Sequence, residues 1–389
     1  MRTSPARPQP QRRTLYVLVG AAALACSSGA CVRTPPVDAR PEPVRSVASP
    51  GLEPVQQDAP AQGAPDATAP PPRGLSRGTG TPADRALSQG DEAFEADRFD
   101  EAQAAYRRAA SLDPRDPSAA VGLARVALAR SEVPTRHAAS PGDPNLQQIA
   151  RQLRDALARD HELGLAHLEL GRVLLMLGED APALVAARRA VELRAQDPEA
   201  QSALGVALMA TGSQAEALQA FQRAAELDPG NVQRQTNLGT ALLMRGRVQE
   251  AIRVFRRAAS STPHDARVQT DLGTAYLSAQ DVASALPHLR RAVELAPDQA
   301  TFRSNLGYGL QLEGKLDAAI KEYRVAIELE PGLGSAWINL GTAQALKGQR
   351  AEARKAFEKA LALDPSDPRA KENLQELDDL PAKDAAAGP

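Results

Sequence analysis

The dipeptide Leu-Gly returns at a constant spacing between residues 170 and 341 of this chain. Its six glycines lie 34 residues apart and are Gly171, Gly205, Gly239, Gly273, Gly307 and Gly341. A constant period of roughly 20–50 residues indicates a repeat array, in which each unit contacts only its neighbours. The chain is therefore predicted to form one extended solenoid, although 389 residues would otherwise suggest two or three compact domains.

Other positions keep the same period and predict two helices per unit. Alanine follows every one of these glycines by 12 and by 19 residues, as Ala183 and Ala190 follow Gly171. A large apolar residue usually lies between the two alanines, as at Phe221, Phe255, Leu289, Tyr323 and Phe357. Proline usually ends the unit, as at Pro229, Pro263, Pro297, Pro331 and Pro365. Because proline cannot continue a helix, each unit is predicted to end there.

A second glycine follows Leu-Gly by seven residues in most units. These glycines are Gly178, Gly212, Gly246, Gly314 and Gly348. Glycine suits the left-handed residue that ends a helix, so the first helix of each unit is expected to stop there. The second helix then runs antiparallel to the first, and the large apolar residue fills the space between neighbours.

These residues resemble the tetratricopeptide repeat family, which has the same period and the same Leu-Gly, Ala, Phe, Ala, Pro spacing. The resemblance implies an all-α fold, a right-handed superhelical solenoid of antiparallel helix pairs. It implies about eight units, at 83–116, 117–163, 164–197, 198–231, 232–265, 266–299, 300–333 and 334–367. The second unit is longer and is predicted to carry an inserted loop at 131–144. A capping helix is predicted at 368–380 and a disordered tail at 381–389.

Residues 1–25 resemble an export signal, with an arginine-rich start and an apolar run from Leu15 to Ala25. The sequence Ala-Leu-Ala-Cys that ends at Cys26 resembles a bacterial lipobox, which implies lipidation of Cys26. The family prefers leucine where Ala23 stands, so ordinary cleavage and an uncleaved anchor remain alternatives. Residues 26–82 are rich in proline and alanine and are predicted to be a disordered tether.

Lipidation of Cys26 would place the protein in a bacterial cell envelope. Serine follows the cysteine, which by family analogy favours the outer membrane, with the array facing the periplasm. A soluble periplasmic or secreted protein is the alternative. Contact with the membrane is expected through the lipid anchor only.

The sequence shows no arrangement typical of catalysis. The five histidines do not cluster at the spacing of metal ligands, and no glycine-rich phosphate loop or Gly-x-Ser-x-Gly elbow is present. The two cysteines, Cys26 and Cys31, both lie near the start, which leaves no framework disulfide for the array. A net charge of −2 and few aromatic residues do not suit nucleic-acid binding. We expect no enzyme activity, no metal or other cofactor, no small-molecule substrate and no nucleic-acid partner.

The resemblance implies that the first helix of each unit lines a concave groove. Residues beside Leu-Gly are then expected to face a partner: Asn237, Asp271, Asn305 and Asn339 before it; Arg172, Thr240, Thr274, Tyr308 and Thr342 after it. The series resembles the asparagine ladder of O-linked N-acetylglucosamine transferase, which holds an extended peptide by its backbone. A carboxamide can both donate to and accept from a peptide unit. The alternative is that asparagine is simply common at this position of the family.

The resulting prediction is a non-catalytic scaffold or assembly factor of the bacterial envelope that binds a protein or an extended peptide. The alternative function is a substrate-targeting subunit for a separately encoded envelope enzyme, a transferase or a cell-wall hydrolase. Binding of a glycan polymer would need aromatic residues along the groove, and these are few. A repeat fold does not by itself decide between such functions.

Overall fold

The computed structural model describes residues 74–131 and 140–379. The predicted signal, Cys26, most of the tether, residues 132–139 of the predicted inserted loop and the tail at 381–389 lie outside these ranges. The described part is entirely helical. Its 17 helices are α1 Pro82–Glu95, α2 Phe99–Leu112, α3 Ser118–Ala129, α4 Pro144–Arg159, α5 Gly164–Leu177, α6 Asp180–Leu193, α7 Pro198–Ala210, α8 Gln214–Leu227, α9 Val232–Met244, α10 Val248–Ser261, α11 Ala266–Ser278, α12 Val282–Leu295, α13 Ala300–Leu312, α14 Leu316–Leu329, α15 Gly334–Leu346, α16 Arg350–Leu363 and α17 Pro368–Asp379.

Consecutive helices pack together in pairs, which confirms the predicted class of antiparallel helix pairs. We call the odd-numbered helices from α1 to α15 the first helices, and the even-numbered helices from α2 to α16 the second helices. Within the described residues, no helix is both long enough and apolar enough to cross a bilayer.

The start and the end of each first helix follow from local side chains and backbone. Asp197 and Asp265 precede α7 and α11, and their carboxylates accept from main-chain N–H groups of the first turn. The glycine predicted to end a first helix has positive φ in five units, for example 78° at Gly178. Asp97 and Gln280 occupy the same place in two other units, with φ of 56° and 61°. The helix end therefore requires the left-handed conformation even where the residue is not glycine.

The recurrent small and aromatic residues form the contact between the two helices of a pair. The alanines at the two periodic positions are buried in every unit from Gly171 onward. The Leu-Gly glycine lies directly against the large residue of the second helix. A Cβ atom added to Gly239 would lie 2.5 Å from Cζ of Phe255, and one added to Gly341 would lie 2.6 Å from Cε1 of Phe357. Real Cβ atoms do not approach other atoms that closely, so only glycine, with a hydrogen atom in place of a side chain, fits at these positions.

The chain divides into two compact parts of several repeats each, with the boundary between Pro263 and His264. From here on, the terms first unit and second unit mean these two parts and not single repeats. In the described part of the first unit, α1–α10 enclose a core that contains Tyr106, Leu153 and Leu174. In the second unit, α11–α17 enclose Leu289 and Tyr323, and Phe357 lies in the cluster nearest to α17.

Candidate binding face

The predicted ladder residues all lie on first helices, and the two residues of each pair share one helix face. Asn237 and Thr240 belong to α9 in the first unit. The pairs in the second unit lie on α11, α13 and α15: Asp271 and Thr274, Asn305 and Tyr308, Asn339 and Thr342. Residues three apart in a helix are neighbours on its surface, so each first helix presents its pair together.

The structure buries these residues to very different depths. The three asparagines, Asn237, Asn305 and Asn339, are half-buried. In contrast, Asp271 and Thr274 are 2% and 1% exposed, and Thr342 is 8% exposed. The first-helix face is therefore accessible at the asparagines and closed at Asp271, Thr274 and Thr342, although Asp271 occupies the same repeat position as the asparagines.

The threonine hydroxyls of the ladder bond to their own helices. Thr240 Oγ1 donates to the carbonyl of Thr236, Thr274 Oγ1 to that of Asp271 and Thr342 Oγ1 to that of Ile338, each at 2.9 Å. This local bond is common for threonine within a helix. It uses the only donor of the hydroxyl, so these three side chains support the helix and have no proton left for a partner.

The carboxamides differ from one another in their hydrogen bonding. Asn237 Oδ1 accepts from Nε2 of Gln233 at 2.9 Å. Within residues 74–131 and 140–379, no protein group bonds the carboxamide of Asn305 or that of Asn339. Their helices, α13 and α15, contact each other. Two adjacent first helices thus each present a half-buried amide with its donors and acceptor available.

Tyr308 lies beside Asn305 on α13. Its ring is half-buried against the core cluster of Leu306, Leu310 and Tyr323, and burial raises the pKa of its hydroxyl above the ordinary tyrosine value. Tyr323 itself is fully buried and donates from its hydroxyl to Oε1 of Gln311 at 3.0 Å. Tyr308 is therefore a neutral aromatic side chain on the same face of α13 as Asn305.

Arg172 is not a free cation on the first-helix face. Its guanidinium pairs with Glu169 at 3.4 Å and with Glu199 of the next first helix. Glu199 also pairs with Arg234, at 2.6 Å, and Arg234 pairs with Asp228 at the same distance. This chain of ion pairs joins first helices of successive repeats, and the sequence analysis did not identify Glu199 or Arg234. The signal was present, because Glu199 and Arg234 are 35 residues apart, about one period.

The stretch before α1, at residues 74–81, was not predicted to pack on the repeats. The main-chain N–H groups of Leu75 and Ser76 donate to Oδ2 of Asp91, at 2.6 and 3.2 Å. The other oxygen of Asp91 accepts from the hydroxyl of Tyr106 at 2.8 Å and lies 3.6 Å from Nη1 of Arg125. No periodic pattern marks residues 74–81, which is why the repeat analysis assigned them to the tether.

No group of three or more His, Cys, Asp or Glu side chains in the described ranges is arranged to hold a metal ion. A space of about 300 Å³ between α14 and the turn after α15 is lined by charged residues that include Asp317, Arg324 and Lys347. Lys347 and Asp317 form an ion pair there. The carboxamides of Asn305 and Asn339 remain the better candidates for recognition of a partner, because no protein group in the described ranges bonds them.

Family models of the tetratricopeptide repeat match most of the array. The matched residues are 208–275 for one model, 334–367 for a second, and 87–135, 181–232 and 270–334 for a third. No curated protein gives a significant match to the chain.

Solved structures show the same fold. The chain is similar to the APC/C hetero-tetramer Cut9–Hcn1, with a TM-score of 0.56 and 18% identity over 76% of this chain and 55% of that chain. This chain therefore spans about half the length of that relative. It also matches YrrB, described as a repeat protein with an unusual peptide-binding site (TM-score 0.37, 26% identity, 49% of this chain and 98% of that one). PilF of Pseudomonas aeruginosa matches with a TM-score of 0.46 and 21% identity, over 56% and 99% of the two chains.

The period of 34 residues, the helix pairs, the glycine–aromatic contact and the family models all agree. The chain belongs to the tetratricopeptide repeat family.

Proposed function

We propose that this protein is a non-catalytic scaffold or assembly factor that binds a protein or an extended peptide on its first helices. The tetratricopeptide fold suggests a protein–protein interaction scaffold, and proteins of this family are generally non-catalytic. The observation that carries the proposal for this chain is the pair of half-buried, unbonded carboxamides at Asn305 and Asn339. A polar group that is partly removed from water and left without a protein partner is suited to a partner's peptide group.

The binding face that we propose is narrower than the predicted ladder. Asn305, Tyr308 and Asn339 form it, and all three lie in the second unit. Asn237, in the first unit, is a separate half-buried carboxamide whose Oδ1 already accepts from Gln233. Asp271, Thr274 and Thr342 support it from within the helices, because they are buried. Arg172 holds Glu169 and Glu199 and is not itself a docking group in this proposal.

Site-specific photo-crosslinking tests this proposal in the full chain. A photoreactive residue in place of Asn339 is expected to capture a discrete partner from the envelope fraction. The matched control places the same residue at Glu358, which is exposed on second helix α16 of the same repeat. Capture at Glu358 and not at Asn339 would move the binding face to the second helices. Capture of an envelope transferase or cell-wall hydrolase at Asn339 would support the alternative of a substrate-targeting subunit.

The proposed location is a bacterial envelope, with the chain held at the outer membrane through lipidated Cys26 and facing the periplasm. The apolar run before Cys26 and the small residue next to it support this proposal. Cys26→Ala is expected to release the protein from the membrane fraction on cell fractionation, whereas Cys31→Ala is expected to leave it there. A Cys26→Ala protein that still sediments with membranes would refute lipidation at this residue, and release of the wild-type protein would favour a soluble periplasmic or secreted form.

A further inference from the structure

Residues 74–77 are not helical and lie against the first repeat. The side chain of Leu75 is 4% exposed and belongs to the core cluster that contains Leu87 and Tyr106. Its main-chain N–H and that of Ser76 both donate to the buried carboxylate of Asp91. The protein thus holds one of its own segments by the main chain and by one apolar side chain.

A second carboxylate, that of Asp84, receives the next residues of the segment. It accepts from the N–H of Arg77 at 2.6 Å, the hydroxyl of Ser76 at 3.0 Å and the N–H of Gly80 at 3.1 Å. Burial by itself would raise the pKa of Asp84, but these donors outweigh it and the pKa lies below the ordinary value. The carboxylate is therefore ionised when the segment is in place.

The side chain of Arg77 reaches two further carboxylates. Its Nη2 atom lies 2.5 Å from Oδ2 of Asp160, the residue that follows α4, and 3.8 Å from Oδ1 of Asp116, which precedes α3. Four aspartates from separate places in the first two repeats therefore surround three residues of the segment. We call Asp84, Asp91, Asp116 and Asp160 the aspartate site.

Part of the aspartate site is held by groups outside residues 74–77. Helix α1 is capped by Thr81, whose hydroxyl accepts from the N–H of Asp84 at 3.1 Å. Asp91 keeps the hydroxyl of Tyr106 and the guanidinium of Arg125, and Arg125 is held in turn by Glu169 at 3.4 Å and by the ring of Phe94. Removal of the segment would uncover an organised acidic site with an apolar pocket, in which Asp91 still has partners.

The contacts also define what fits this site. Main-chain N–H groups can come from any sequence, the pocket of Leu75 takes an apolar side chain, and the carboxylates of Asp116 and Asp160 take a cation two residues later. A Cβ atom on Gly74 would clash with the carboxylate of Asp91, so the residue before the apolar one must be glycine. The pattern is Gly, an apolar residue, any residue, then Arg.

We propose that the aspartate site is a second peptide-binding site, separate from the face at Asn305 and Asn339, and that residues 74–77 occupy it in competition with a partner. The partner is an extended segment of another protein with the pattern glycine, apolar residue, any residue, arginine. The proposal does not depend on the function proposed for the carboxamide face, because the two sites share no residue.

The test uses the full chain and a labelled synthetic peptide of residues 71–80 as the probe. The Leu75→Asp/Arg77→Ala variant is designed to vacate the site, and it is expected to bind the peptide, by fluorescence anisotropy, at least about tenfold more tightly than the wild-type chain. A folded variant that does not bind the peptide would overturn the proposal, since the segment would then be a fixed part of the fold.

A matched pair of substitutions in the vacated variant locates the binding. Asp160→Asn removes the charge that receives Arg77, and it is expected to weaken peptide binding several-fold. Asp155→Asn makes the same change at an exposed position of α4 and is expected to leave binding unchanged. Equal affinities of the two variants would show that the peptide binds elsewhere, which would also overturn the proposal.

Hydrogen exchange in the unaltered chain decides the question if the vacated variant fails to fold. A segment that exchanges with a partner must leave Asp91 without unfolding the array. The amide of Leu75 is therefore expected to exchange much faster than core amides such as that of Leu174. Exchange of Leu75 as slow as that of Leu174 would mean that the segment leaves only on global unfolding, and the proposal would be wrong.

Discussion

At the scale of the residue, the Leu-Gly glycine is required by the side chain that faces it. Phe255 faces Gly239 so closely that a Cβ atom has no room. In the unit of Gly171, Ala187 stands where Phe255 stands, and the nearest atoms to an added Cβ are main-chain atoms of Ala183 and Ala187 at 3.4 Å. The same repeat position therefore excludes a Cβ atom at Gly239 and has room for one at Gly171.

This difference predicts opposite outcomes for the same substitution. Gly239→Ala is expected to lower the free energy of unfolding by about 1–3 kcal/mol, because the added methyl overpacks against Phe255. Gly171→Ala is expected to be neutral or to stabilise by up to about 1 kcal/mol, because alanine favours a helix more than glycine does. Urea unfolding followed by circular dichroism measures both. Equal losses in the two variants would contradict the account of this contact.

Gln280 has a left-handed backbone where five other units have glycine. The left-handed conformation costs a residue with a side chain about 1–2 kcal/mol. Glycine avoids this strain, but it loses more backbone entropy on folding, so the net gain from glycine is smaller. Gln280→Gly is therefore expected to raise the free energy of unfolding by up to about 1 kcal/mol, and Gly314→Ala to lower it by a similar amount. Denaturant titration tests the pair. A destabilised Gln280→Gly protein would show that the glutamine side chain contributes more than the strain costs.

Asp84 predicts a pH dependence of stability. Its pKa is lower in the folded chain than the ordinary value of about 3.9, so the unfolded state binds the proton first as pH falls. The contribution of Asp84 is fully present above about pH 4 and is lost as pH falls through the folded pKa. Asp84→Asn is expected to lower the melting midpoint by a few degrees at about pH 7, where the carboxylate is ionised. The decrease is expected to be much smaller near pH 2, where protonation removes the charge in the wild-type protein as well.

Melting curves of wild type and Asp84→Asn at the two pH values measure this effect. Asp155→Asn, at an exposed position of α4, is the control and is expected to match wild type at both. A difference between wild type and Asp84→Asn that stays constant across the pH range would mean that the ionised carboxylate is not what stabilises the segment.

At the scale of the element, the sequence predicted the helix pair well, because the features that build it recur in most repeats. Helix ends at Gly178 and its equivalents, buried alanines and the glycine–aromatic contact are all local consequences of the period. The same period predicted that Asp271 and Asn305 share a phase, and it could not predict that one is buried and the other half-buried. Depth depends on the neighbouring side chains, and these differ between units.

Features that do not recur were not predictable from the repeat. The segment at 74–77 has no counterpart in later units, and its contacts join residues far apart in sequence, such as Arg77 and Asp160. Arg172 was assigned to the groove by its phase alone, and its pairing with Glu199 involves the first turn of the next first helix. In both places, charge pairing between elements decides the geometry, and the repeat position of a single residue does not show which partner it has.

At the scale of the whole molecule, the sites that we propose in the two compact units differ in their chemistry. The described part of the first unit contains the aspartate site and the ion pairs from Arg172 to Asp228. The second unit contains the unbonded carboxamides at Asn305 and Asn339 and the neutral aromatic ring of Tyr308. Charge complementarity would dominate binding in the first unit, and pairing with the peptide main chain would dominate in the second.

The central claim is that the first-helix face of the second unit binds a partner through Asn305 and Asn339. The most direct measurement is titration of the crosslinked partner, once purified, against the full chain and the Asn305→Ala/Asn339→Ala variant. Two lost hydrogen bonds at about 0.5–1.5 kcal/mol each predict an affinity roughly five- to a hundredfold weaker. Arg324→Ala/Glu358→Ala, on exposed positions of α14 and α16, is expected to bind like wild type. Equal affinities of wild type and the asparagine variant, with unchanged circular dichroism, would contradict the claim.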